Sequence, residues 1–475
     1  MQVLYPELSV RLGDTNVPGR HLGIDNDDVV ARFPAYEPLY ISEEVFLPLF
    51  VVEEDHAAHD TGVGYAVATE GAEPVGVAVL LAAAGAEHHR GPLSCSGNVV
   101  CVAMHLHRNR EIRSCAFRQQ EFDLLDARLQ QLITDLPSMS FYGAWDVREA
   151  RWSDDLLERF DLVRDQFGQP TAPGTQVGTI SPVVAEQTGF AVDTPICVGA
   201  YDQACGIVGM GSIEPGMATA TLGTGGFTNL VVDTPTTALG GMLTNHHAVS
   251  GLWQVGGASL AAASSYQWFR DTFGALEVER EKQQKGNAFA ALNDLAAQAP
   301  PGSRGVLFLP YLNSAGTPHW NPHARAAFIG MSVAHGRAEL TRSVMEGITL
   351  EMHDTMTGWH NNGMALTTLR LGGGPTHSPL WNQIQADVYG RMVQIMCVEE
   401  STALGAAILG GIGAGVFDSV QAGVDAMVHV ANEIEPNIEN HDIYQEMYRA
   451  YIEAYEGLNH QAFGTLAAMQ VNTSR

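Results

Sequence analysis

Residues 195–226 read PICVGAYDQACGIVGMGSIEPGMATATLGTGG. The apolar run 195–200 ends at Tyr201-Asp202 and predicts a strand that delivers an acid to its C-terminal end. Residues 203–211 are small and predict a helix. Residues 217–222 (MATATL) predict a second strand, running into Gly223-Thr224-Gly225-Gly226. Strand, turn and helix in this order are the grammar of an α/β domain.

The chain repeats that grammar downstream. Residues 305–309 are strand-like, and 339–356 place Leu340, Val344, Ile348 and Met352 on one helix face. Residues 366–371 predict a strand that ends in Gly372-Gly373-Gly374. A helix over 379–389, a strand over 392–396 and an Ala/Gly-rich helix over 402–412 follow. Upstream, Ser153 reads as a helix N-cap, with Asp154 and Asp155 suited to the first turn. Before residue 130 the pattern is weaker, with short apolar stretches at 45–52, 75–84 and 99–104; the last reads as a buried strand.

The 475 residues suffice for two to four domains. Lys plus Arg is 25 and Asp plus Glu is 53, so the net charge is 25 − 53 = −28. Such a surface repels phosphate backbones and anionic lipid, which excludes a general nucleic-acid or membrane-surface binder. The longest uncharged apolar runs, 75–86 and 403–417, are shorter than the roughly 18–20 residues that cross a bilayer. The N-terminal stretch lacks a basic region followed by an apolar core, so no secretory signal is read there. Six cysteines without a C-x-x-C pair make neither a disulfide framework nor a zinc site, and a reducing cytoplasm is the expectation. His105 and His107 share one strand face, but a metal site would need a third ligand.

Three features could carry chemistry. The turn at Gly223, Thr224 and Gly225 exposes main-chain N–H groups and one hydroxyl, which could hold a polyphosphate without a lysine. It reads equally as a tight turn between two strands. The second glycine turn, at Gly372–Gly374 before a helix, could cup a flat ring or a phosphate, or could be a plain strand-to-helix connection. Asp202 stands where open α/β sheets bind ligands and could take a proton from a hydroxyl; it could also be a helix N-cap. No G-x-x-x-x-G-K-[ST] loop occurs, and a G-x-G-x-x-G dinucleotide fingerprint fails at His377.

These pieces occur together in one family. Residues 199–226 resemble the FGGY carbohydrate kinases, as does YGAWDVREARWSDDLLERFDL (142–162). GVLFLPYLNSAGTPHWNPHARAAFIGMSVAHGRAELTRSVMEGITLE (305–351) is similar to the family's C-terminal signature. LGGGPTHSPLWNQIQADVYGRMV (371–393) resembles its adenosine segment, and EESTALGAAILGGIGAG (399–415) the helix after it. Order and spacing agree over about residues 140–420.

The resemblance implies two actin-like, ribonuclease-H-like α/β domains with a cleft between them. They would be a sugar-binding domain over 1–213 and an ATP-binding domain over 214–475. It implies ATP-dependent phosphorylation of a sugar hydroxyl, with a ketose such as D-xylulose leading and Mg2+ on the phosphates. Asp202 falls on the family's catalytic base and Gln203 on a substrate contact. Gly223, Thr224 and Gly225 fall on the phosphate loop, and Gly373, Gly374 and Ser378 on adenosine contacts. The partner is then a small sugar or polyol, and homodimers are common in the family.

The N-terminal third departs from the pattern. The family opens with a G-I-D-x-G-T-[ST] phosphate loop, whereas this chain has Gly23-Ile24-Asp25-Asn26-Asp27-Asp28. SGNVVCVAMHL (96–106) stands where xylulokinase-like members carry S-G-Q-M-H-G. Asn98 there is a substrate-contact candidate, while the Met-His pair is missing. CAFRQQEFD (115–123) offers Arg118, Gln120 and Phe122 at the sugar-contact motif, and the helical segment expected before Asp146 is shortened. A catalytically impaired homologue that binds sugar or nucleotide as a regulator is therefore the alternative expectation.

Overall fold

The computed structural model describes residues 76–82, 99–105, 133–164, 167–236 and 240–473. Asn98, Asp25–Asp28, His107, Arg118, Gln120 and Phe122 lie outside these described residues.

The smaller sheet is built from β1 (Gly76–Ala82), β2 (Val99–His105), β3 (Gln176–Thr179) and β4 (Pro195–Val198). Its order is β1-β2-β4-β3, with β2 and β4 parallel and both outer pairs antiparallel. The strand β4 leads through Gly199 to Tyr201 into helix α1 (Asp202–Gly209). The acid thus stands at the C-terminal side of a sheet strand, as the apolar run 195–200 predicts.

The larger sheet has seven strands. They are β5 (Met217–Leu222), β6 (Gly226–Val232), β7 (Leu243–His246), β8 (Trp253–Ser259), β9 (Thr368–Gly372), β10 (Val393–Met396) and β11 (Val430–Ile434). Their order is β7-β8-β6-β5-β9-β10-β11. The pairs β5/β9 and β9/β10 are parallel and the rest antiparallel. Parallel neighbours end at the same edge, so the turns after β5 and β9 lie side by side.

Helix α2 (Ala263–Phe273) follows β8, and the long helix α3 (Arg337–Asn361) packs on this sheet. Val344, Ile348 and Met352 are buried in its core, with Leu340 partly buried against it. A buried ion pair fixes α3: the Arg342 guanidinium donates to Glu346 at 2.7 Å and to the Tyr444 hydroxyl at 3.0 Å. Tyr444 donates on to Glu346 at 2.7 Å, which joins α3 to helix α6 (Ile438–Gln461). Paired and hydrogen-bonded in this way, the charges escape the cost of lone burial.

Helix α4 (Pro379–Tyr389) starts from the second glycine turn; Pro379 at its first position suits a helix start. Helix α5 (Ser401–Gly413), although late in the chain, packs against α1, β2 and β4 of the smaller sheet. The contact needs glycine: a Cβ on Gly209 would stand 1.8 Å from the Ser401 carbonyl oxygen, and one on Gly405 1.8 Å from that of Cys205. Small residues let the two helix backbones touch, which explains the Ala/Gly run read at 402–412.

Candidate functional site

Asp202 is the first residue of α1 and is exposed. The N-cap position belongs to Tyr201, so the capping alternative for Asp202 falls away. Its carboxylate accepts the neighbouring Gln203 amide at 2.7 Å. Gln203 is half-buried beside it.

The first glycine turn is a hairpin: Leu222 pairs with Gly226 across the three residues 223–225. The structure thus has the tight turn between two strands, with its outer surface open. Its carbonyls are tied inward. Gly223 O accepts from the Ala263 amide at 2.9 Å, and Thr224 O from the Ser264 hydroxyl at 2.8 Å, both at the start of α2. In a planar trans peptide the next N–H points opposite its carbonyl. The amides of Thr224 and Gly225 are thereby turned away from α2, and no backbone partner takes them among the described residues. Gly223 and Thr224 are exposed. Outward amides with an adjacent hydroxyl are donors that can hydrogen-bond an anion.

The second turn abuts the first. Gly373 has φ +88°, and a Cβ there would lie 2.2 Å from the Leu222 carbonyl oxygen, immediately before Gly223. Only glycine fits a left-handed residue pressed on a backbone. Gly374 is exposed, with open space where a Cβ would stand. Ser378 is placed differently. It is buried, and its hydroxyl accepts the Trp381 amide at 3.2 Å as the N-cap of α4. It shapes the turn from beneath instead of sharing its open face.

Between this turn and the end of β10 lies a shallow pocket with an enclosed volume of about 10 Å³. Met210, Ile395, Met396 and Val398 give it an apolar side, and Thr376, Glu399 and Ser401 a polar rim. Met210 also connects the pocket to the acid. It follows α1 and touches Thr221 through sulfur at 3.9 Å. The eight residues of α1, at about 1.5 Å each, span about 12 Å. At the other end of α1, the Thr402 hydroxyl donates to the Asp202 carbonyl at 3.3 Å, one residue from rim-forming Ser401. The acid therefore stands at one end of α1, and the pocket and both glycine turns stand at the other, about 12 Å of helix away. Sequence reasoning missed Met210, Ser401 and Thr402; the hydroxyl pair that opens an apolar helix was the available signal for the last two.

Beneath the first turn, Ser259 pairs with Gly226 and donates to the fully buried Glu351 at 2.5 Å. Burial pushes the Glu351 carboxyl up to about 8, with Asp354 nearby adding to the rise. The folded protein holds that proton up to about pH 8, while an unfolded chain releases it in the ordinary carboxylate range. This contribution to stability is complete at acidic pH and is lost as pH rises through about 8. In urea titrations, the wild-type midpoint is expected to fall between about pH 5.5 and 8 with a steeper slope than that of Glu351→Gln, by roughly one proton. Parallel slopes would contradict this.

Among the described residues, no group of three or more His, Cys, Asp or Glu side chains gathers to hold a metal ion, and no helix is long and apolar enough to cross a membrane. Cys197, Cys205 and Cys397 are free thiols.

Residues 120–209 match the N-terminal domain of the FGGY family of carbohydrate kinases, and residues 218–414 its C-terminal domain. A xylulose kinase of Staphylococcus epidermidis is 31% identical over 306 residues, covering 64% of this chain and 60% of that protein. An autoinducer-2 kinase of Klebsiella pneumoniae is 29% identical over 74% of this chain and 66% of that one. The chain thus spans about 60% of the length of the first of these relatives. Among solved structures, a ligand-bound xylulose kinase from Lactobacillus acidophilus shares the fold with a TM-score of 0.65 at 23% identity, covering 73% of this chain and 67% of that one. One from Brucella ovis has a TM-score of 0.63 at 26% identity, covering 72% and 67%. The two sheets are the paired actin-like domains of that architecture, and the chain belongs to the FGGY family of carbohydrate kinases.

Proposed function

We propose that the chain transfers the γ-phosphoryl group of ATP to a hydroxyl of a ketose, with D-xylulose the leading candidate. The observation that carries this reading is an exposed acid at the start of α1 with two abutting glycine turns beyond the end of the same helix. Asp202 would accept the proton as the sugar oxygen bonds to phosphorus and the bond to the ADP oxygen breaks. Gln203 would hold the sugar, with Asn98 a further contact. The Thr224 and Gly225 amides, with Gly223 giving them room and the Thr224 hydroxyl beside them, would take the phosphates. Gly373 and Gly374 would flank the adenosine, with Ser378 supporting their turn. Mg2+ needs no dedicated protein cage, since it takes phosphate oxygens and water with one or two carboxylates. It would offset phosphate charge that a chain of net charge −28 leaves exposed. The division of labour places the sugar on residues 1–213 and ATP on 214–475, with α5 returning to the sugar side.

A second reading, a sugar- or nucleotide-binding regulator without turnover, is favoured by Asp27 and Asp28 in place of the family's hydroxyl-bearing loop. The test is ADP release with Mg2+-ATP against a panel of ketoses, alongside calorimetric binding of the same sugars. Ketose-dependent ADP release is expected. Sugar or nucleotide binding without ADP release would replace the kinase reading with the regulatory one.

A further inference from the structure

We propose that Tyr201 is a positioning residue that ties the acid-bearing start of α1 to strand β8, so that the sheet carrying the 223–225 turn sets the place of Asp202. Its functional consequence rests on the kinase reading; its geometry does not.

Tyr201 occupies the N-cap of α1, yet its side chain makes no cap hydrogen bond. The ring instead packs edge-on against Phe141 at 5.1 Å. Its hydroxyl accepts from Gln254 Nε2 on β8, and the Asn245 side chain on β7 is a second partner. Asn245 and Gln254 stand opposite each other in the β7/β8 ladder, so one phenol engages a cross-strand pair. Gln254 is only 2% exposed, and its Oε1 has no partner among the described residues. Its amide therefore depends on Tyr201 for satisfaction.

Other bonds join the same two strands to residues 140–147. The His246 amide donates to Ser140 Oγ at 2.8 Å, Trp145 Nε1 to His246 Nε2 at 3.1 Å, and Trp253 Nε1 to the Val147 carbonyl at 3.1 Å. Burial lowers His246 to about 4, so its ring is neutral and can accept. Tyr201 differs from these links because it is covalently next to Asp202. From Gln254, β8 runs five residues to Ser259, which pairs with Gly226 at the turn; at about 3.3 Å per residue this is about 17 Å of strand. A hydrogen-bonded strand has little freedom to change length. The pin at one end therefore fixes how far the acid stands from the outward amides at the other.

The experiment compares wild type, Tyr201→Phe, and the double variant Tyr201→Phe/Gln254→Leu. Three quantities are read: hydrogen exchange of residues 202–209, thermal midpoint, and steady-state kcat and KM. Tyr201→Phe is expected to speed exchange in α1 and lower kcat by about tenfold or more, with KM for ATP unchanged, because small displacements of a catalytic group are costly. In the double variant the Tyr201–Gln254 pair is apolar and only Asn245 is left without the phenol, so the midpoint recovers in part while exchange and kcat do not. Unchanged exchange in Tyr201→Phe, or recovery of exchange and kcat together with the midpoint in the double variant, would overturn the proposal. A wild type without ketose-dependent ADP release would defeat the kinase reading alone, and the exchange data would still decide for or against the pin.

Discussion

The Asp202→Asn substitution is expected to cut kcat for ketose-dependent ADP release by about 10²–10⁴-fold, the range that general-base catalysis supplies. Asparagine keeps the size and polarity of the side chain but cannot accept the hydroxyl proton. Asp202 is exposed and touches little beyond the Gln203 amide, so stability should stay within about 0.5 kcal/mol of wild type. KM for ATP should hardly move, since the Thr224 and Gly225 amides proposed to take the phosphates lie beyond the far end of α1. The combination of lost turnover, retained fold and retained nucleotide affinity is measured by coupled-enzyme kinetics and thermal melting. Undiminished kcat in the variant would remove Asp202 from the chemistry.

The Gly373→Ala substitution attacks the other half of the site. The new Cβ would lie 2.2 Å from the Leu222 carbonyl oxygen and 2.8 Å from its carbon, at a φ of +88° that alanine resists. Strain of this kind costs about 1–3 kcal/mol. Relief by parting the ends of β5 and β9 would move the 223–225 turn away from Gly373. At about 1.4 kcal/mol per tenfold change, the expected result is a rise in KM for ATP of about 10–100-fold. KM for the sugar should change little, because Asp202 and Gln203 hang from the smaller sheet. An equal rise in both constants would point to global damage instead.

The elements bounded by strong local punctuation were legible in the sequence. Residues 217–222 are a strand to the residue, set between Gly216 and Gly223, and 379–389 are a helix to the residue, opened by Ser378-Pro379 and closed by Gly390. The helix read at 339–356 extends to Arg337–Asn361 because no breaker stops its polar ends. Asp202 was legible as an acid at a strand end. Its neighbours were not: the Tyr201–Gln254 bond spans 53 positions and the Thr402–Asp202 bond spans 200, and hydrophobic periodicity reports only local geometry. Ser378 was legible in another way: a serine directly before Pro379 reads as a helix cap, and its buried hydroxyl accepts the Trp381 amide.

A crystal structure with an unreactive ATP analogue, Mg2+ and D-xylulose bound together would put the shared-site claim to its hardest trial. The expected structure has the terminal phosphates on the Thr224 and Gly225 amides, adenosine beside Gly373 and Gly374, and one Asp202 oxygen about 2.6–3.2 Å from the acceptor hydroxyl. Nucleotide bound away from those amides, or a sugar hydroxyl that no closed state brings within reach of Asp202, would contradict it.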